Sequence, residues 1–103
     1  MEKSGPVAEK RVQIVNVLGL HARAAARFVR AATRFRSKVM ITKDGTTTDG
    51  KSILGILFLA ATTGTEIVIT ASGEDENEAV DALATLVAGG LGEDAEDADG
   101  GIS

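Results

Sequence analysis

The stretch Gly19–Arg34, which reads GLHARAAARFVRAATR, constrains this chain more than any other. Successive helical residues advance by about 100°, so Arg23, Arg27, Arg30 and Arg34 fall within a ribbon roughly 60° wide. Ala25, Phe28, Val29 and Ala32 take the opposite side, at the i, i+3, i+4, i+7 spacing of a core-facing stripe. The pattern predicts a helix from about Ala22 to Arg34 that buries one face and offers arginine on the other. His21, the one histidine of the chain, stands at its start.

That placement has chemical content. The first amides of a helix have no intrahelical partner, and the helix dipole adds about half a positive charge there, so anions are favoured. Arg23 can add a charged fork to the same anion. An imidazole nitrogen is a nucleophile, and a phosphoryl group that reached it would have its charge stabilised by the same donors. The bland alternative is a histidine that merely decorates a helix start.

The rest of the chain alternates between the two periodicities. Val12 and Ile14 mark a strand from about Lys10, and Asn16–Leu20 reads as a loop. Lys38–Lys43 and Thr46–Asp49 read as strands joined by an Asp44-Gly45 hairpin turn. Ser52 is a natural N-cap for a short apolar helix, Ile53–Ala60. Thr65–Ala71 is the strongest strand, and Asp75–Ala88 a helix whose buried stripe is Ala79, Val80, Leu83, Leu86 and Val87, stopped by Gly89-Gly90. The order strand–helix–strand–strand–helix–strand–helix fits an α+β open-faced sandwich: a four-stranded, mostly antiparallel sheet with three helices on one face.

Length and composition narrow the function. At 103 residues the chain holds one domain, expected at 10–90, between a loose arm at 1–9 and an acidic, unstructured tail at 91–103. Glu93, Asp94, Glu96, Asp97 and Asp99 carry five of the negative charges, and without them the net −4 becomes +1. That balance, with three Phe and no Trp or Tyr, argues against nucleic-acid binding. No cysteine and a single histidine argue against a metal site, and no cofactor is expected. The longest apolar run, Ile53–Ala61, is half the ~18 residues a membrane span needs, and the N-terminus lacks a secretory pattern, so a cytoplasmic location is expected. A small ligand-binding module would need a Gly-rich phosphate loop or a convergent polar pocket, and neither is legible.

Four segments together carry a resemblance. They are Gly19-Leu20-His21-Ala22-Arg23 with its Ala-rich turn and Phe28-Val29, Gly50-Lys51-Ser52-Ile53-Leu54-Gly55-Ile56, Thr65-Glu66-Ile67-Val68-Ile69, and Gly73-Glu74-Asp75-Glu76. In this order, over roughly Lys10 to Val87, the chain resembles the HPr family, the histidine-containing phosphocarriers of the phosphoenolpyruvate-dependent sugar phosphotransferase system. The resemblance implies the same sandwich and a monomer. It implies that His21 accepts phosphate from enzyme I and passes it to the IIA domains of sugar transporters, a carrier rather than a stand-alone enzyme. Arg23 matches the arginine that faces the phosphate. Ser52 matches the serine that HPr kinase/phosphorylase modifies in many bacterial members, and Ile53, Leu54 and Leu57 resemble the apolar patch that docks partners. Arg27 stands between a partner contact and a solvated charge, and Arg34 reads as solvated. Two positions depart from the family pattern: Ala24 where proline is common, and Leu18 where a polar residue often stands. They leave open a paralogue that acts mainly by binding regulatory partners.

Overall fold

β-branched and aliphatic residues at every second position need a partner strand to satisfy their backbone, and here all of them find one. The computed structural model describes residues 7–92. Four strands, β1 (Ala8–Gln13), β2 (Lys38–Lys43), β3 (Thr46–Asp49) and β4 (Glu66–Ser72), form one sheet in the order β1-β4-β2-β3. Every neighbouring pair is antiparallel. Val12 stands opposite Ile67, and Ile69 opposite Ile41, so the inward rows line up across three strands. Asp44 and Gly45, at φ +50° and +81°, make the two-residue hairpin between β2 and β3.

Three helices complete the sandwich: α1 (Ala22–Ala32), α2 (Ile53–Leu59) and α3 (Glu76–Ala88). Phe28, Val39, Ile41, Ile56, Ile67, Ile69, Leu83 and Val87 are all fully buried between the two layers. α1 leaves β1 and delivers the chain to β2, and the gap between those strands is filled by β4. α3 packs over the β1–β4 half of the sheet.

Three of the boundaries differ from expectation for an identifiable physical reason. α1 ends at Ala32 rather than Arg34, because Arg34 and Phe35 switch to i→i−3 bonds onto Ala31 and Ala32 at 3.2 and 3.1 Å. β1 starts at Ala8, inside the segment expected to be a loose arm, because Ala8 pairs with Ala71. The charged Glu9-Lys10-Arg11 run of this edge strand hid the alternation from sequence.

The third shift is at the other end of the domain. Leu91, assigned to the tail by sequence, is fully buried. Its N–H donates to the Leu86 carbonyl at 2.9 Å and that of Gly90 to Val87 at 3.0 Å, with Gly90 at φ +88°. Those two bonds and the left-handed glycine are a Schellman closure of α3, which brings Leu91 back against the end of its own helix. The rest of the expected arm, Met1–Pro6, and the remainder of the acidic tail, 93–103, lie outside the described residues.

Candidate functional site

His21 is itself the N-cap of α1. Its backbone is extended (φ −84°, ψ −177°) and its Nδ1 accepts the N–H of Arg23 at 3.3 Å. The ring is half-buried, and its Nδ1 edge faces the helix amides. An imidazole that accepts through Nδ1 and is uncharged carries its proton on Nε2. Arg23 lies exposed on the first turn, two residues from the ring that accepts its N–H.

The backbone under His21 is held by a set of short hydrogen bonds. Asn16, fully buried, donates from Nδ2 to the Gly19 carbonyl at 2.7 Å. Leu20 N–H donates to the Ala61 carbonyl at 2.9 Å, His21 N–H to Gly19 at 3.0 Å, and Ala25 N–H to His21 at 2.8 Å. Gly19 is the residue that permits this approach. It sits at φ +67°, and a Cβ there would stand 2.5 Å from the Ala61 oxygen and 2.9 Å from Thr62 Cα.

Ala61 follows the left-handed cap of α2, Ala60 at φ +52°, and Lys43 Nζ holds the carbonyl of Leu59 at 2.9 Å. The end of α2 is thus the platform for the histidine loop. Ser52 caps the other end of the same helix, its Oγ accepting the Gly55 N–H at 3.0 Å. Gly55 is required there because a Cβ would collide with Thr48 Oγ1 of β3. Ser52 and His21 therefore do not share one pocket; they belong to opposite ends of α2.

The apolar patch differs from its expected membership. Ile53 is 40% and Leu54 79% exposed, but Leu57 is half-buried against the core. Phe58, 87% exposed, takes its place beside Leu54. The signal was present, since 54 and 58 are an i, i+4 pair, but every residue of Ile53–Leu59 except Gly55 is apolar and no stripe stands out. Leu18, one of the two departures, is 69% exposed in the histidine loop beside Val17 at 79%. Ala24, the other, is fully buried in the first turn of α1.

The arginine ribbon also divides. Arg23, Arg30 and Arg34 are exposed, whereas Arg27 is half-buried and donates from Nη1 to the Leu91 carbonyl at 3.1 Å. At the remaining corner, Asp75 ties α3 to the segment after α1. Its carboxylate accepts from Ser37 Oγ at 2.6 Å and from the amides of Arg36 and Ser37 at 2.9 and 3.0 Å. The Ser37 hydroxyl first, then the Arg36 amide, hold that carboxyl down at about 2. Among the described residues no cluster of His, Cys, Asp or Glu is grouped to hold a metal, and no helix is long and apolar enough to cross a membrane.

With this geometry in view, the comparisons with known proteins place the chain. The family model "PTS HPr component phosphorylation site" matches residues 8–89. The phosphocarrier protein HPr of Neisseria meningitidis is 45% identical over 85 residues, covering 82% of this chain and 96% of that one. The crystal structure of HPr from Bacillus anthracis superposes with a TM-score of 0.77 at 48% identity, covering 81% of this chain and 99% of that one. That of Crh from Bacillus subtilis, described as a domain-swapped dimer, has a TM-score of 0.66 at 42% identity, covering 87% of this chain and 97% of that one. The chain belongs to the HPr phosphocarrier family.

Proposed function

We propose that this protein accepts a phosphoryl group on Nδ1 of His21 from phosphorylated enzyme I and passes it to the IIA domains of sugar transporters. The observation that carries the reading is the ring's place as the cap of α1, with Nδ1 turned to the Arg23 amide. The lone pair on Nδ1 forms the P–N bond as the bond from phosphorus to the donor breaks, and Nε2 keeps its proton. The incoming oxygens then take over the Arg23 amide that the ring had used, with the Arg23 guanidinium as a further positive charge. A 3.3 Å bond is long for an N–H donor, so little is lost when the phosphoryl group displaces it. Transfer to the next protein reverses the step, with imidazole as the leaving group. Leu54 and Phe58, with Ile53 at their edge, supply an apolar docking surface.

In this reading Ser52 is the regulatory site, modified by an HPr kinase/phosphorylase. A phosphate there adds a charge of about −2 next to Ile53 and Leu54 and repels an acidic partner. The likeness to Crh favours a second reading, in which the chain works mainly as a regulator through Ser52 and the same patch. We read the protein as a cytoplasmic monomer, and light scattering distinguishes 10.6 kDa from twice that mass.

The two readings separate in one experiment. Incubation with labelled phosphoenolpyruvate and enzyme I leaves an acid-labile label that disappears in His21→Ala if the protein is a carrier. No label on the intact protein, beside an HPr control that labels, removes the carrier reading. An acid-stable label from the kinase that persists in Ser52→Ala removes the assignment of Ser52.

A further inference from the structure

We propose that the cleft between α1 and α3 binds a small phosphate ester, at a site separate from His21. The cleft is an open groove of about 280 Å³, just under the size of drug-sized ligand sites and suited to something smaller. Its charged wall is Arg27, Arg30 and Arg34, spaced three and four residues apart on and just beyond α1. Its apolar wall is Ala31, Leu86 and Leu91, and no acidic side chain lines it among the described residues.

Two of these cations are unspent among the described residues. Among the described residues the Arg30 and Arg34 guanidinium groups make no hydrogen bond or ion pair. Arg27 is fixed by its bond to the Leu91 carbonyl, which sets one guanidinium in the wall. Like charges at this spacing repel one another, and a dianion between them removes that repulsion. Guanidinium forks match phosphate oxygens in pairs, and the Ala31–Leu86–Leu91 wall offers cover for a short carbon skeleton. Inorganic phosphate satisfies only the charged half of such a site. Arg30 also lies nine residues beyond His21, roughly 13 Å along a helix axis, so one phosphate cannot serve both places.

The test is an amide NMR titration of the full chain with phenyl phosphate, with inorganic phosphate, and with sodium chloride at matched ionic strength. Phenyl phosphate gives saturable shifts at Ala31, Leu91 and Gly92, roughly tenfold tighter than inorganic phosphate because its ring is buried. The Arg30→Gln/Arg34→Gln variant melts as the parent does but no longer saturates, while the response of the His21 and Arg23 amides is retained. Drift that follows ionic strength alone, or equal affinity for the two phosphates, overturns the proposal. So does binding that appears only after the acids at 93, 94, 96, 97 and 99 are replaced by amides, because the chain's own carboxylates are then the counter-ions of the groove.

Discussion

Replacing Gly19 by alanine tests the platform on which the histidine loop rests. The new residue must adopt φ +67°, which costs an L-residue about 1 kcal/mol. It must also place a Cβ 2.5 Å from the Ala61 oxygen, inside any allowed contact. Relief requires the loop to back away, and the bond from Leu20 N–H to that same oxygen, 2.9 Å, is what gives. Losing a backbone bond at this partly enclosed point adds about 1–2 kcal/mol, for a total of about 2–3 kcal/mol. Gly64→Ala is the control: φ there is +88°, but nothing lies within 4 Å of the added carbon, so it bears the conformational cost alone. Urea unfolding followed by circular dichroism suits a chain without Trp or Tyr. The expected result is that Gly19→Ala loses about 1–2 kcal/mol more than Gly64→Ala and accepts phosphate from enzyme I more slowly, with Gly64→Ala unimpaired in transfer. Equal losses in the two variants would refute the claim that close approach, rather than handedness, makes residue 19 a glycine.

Leu91→Ala is expected to lose about 2–4 kcal/mol in the same assay, as a fully buried leucine does, whereas a tail residue would change stability by under about 0.5 kcal/mol. Ala60→Gly is expected to gain about 0.5–1 kcal/mol, since α2 ends on a left-handed residue at φ +52°; a loss would show that the alanine is not strained. Asp75 is lowered from 3.8 to about 2 in the folded protein, so its contribution is complete above the unfolded value and is lost as pH falls through 3.8 towards 2. Asp75→Asn is therefore less stable at pH 7 and has a flatter acid limb between pH 4 and 2, read from thermal melts; an unchanged limb would refute it. Leu54→Ser and Phe58→Ser are expected to slow phosphoryl acceptance and transfer while leaving the melt within about 0.5 kcal/mol, because both side chains stand in solvent; Leu57→Ser is expected to melt early instead.

The parts of this molecule that were legible in sequence are those written as local repeats. The α1 stripe of Ala25, Phe28 and Ala32, the Asp44-Gly45 turn, the Ser52 cap and the two inward rows of Val39, Ile41, Ile67 and Ile69 are all decided within a few residues. His21 was legible as a helix cap for the same reason. What sequence did not disclose depends on partners far along the chain. Ala8 is a strand residue because of Ala71, and Arg27 is anchored because of Leu91, 64 positions away. Phe58 rather than Leu57 joins Ile53 and Leu54 on the exposed side of α2 because the platform and β3 fix that helix's rotation, and a run of uniformly apolar residues does not encode one.

The proposed acceptance of phosphate at His21 would place a conflicting demand on that residue, one that this geometry would divide between backbone and ring. Rapid handover between two proteins needs the acceptor atom already in place, since each degree of freedom left to freeze on encounter slows transfer. It also needs a phosphoryl group that is not bound so well that it stays. Here position is supplied by hydrogen bonds of 2.7–3.1 Å from Asn16 to Ala25, braced on the Ala61 carbonyl and closed by Gly19. Nδ1, the nitrogen proposed to react, accepts the Arg23 amide at 3.3 Å, a longer bond than any of these. In the proposed reaction the Arg23 amide that donates to Nδ1 would pass to a phosphate oxygen, exchanging one partner for another without rebuilding the loop. Sequence could specify such an arrangement only through Gly19 and Asn16, residues that touch no phosphate and whose effect is to hold a cap still.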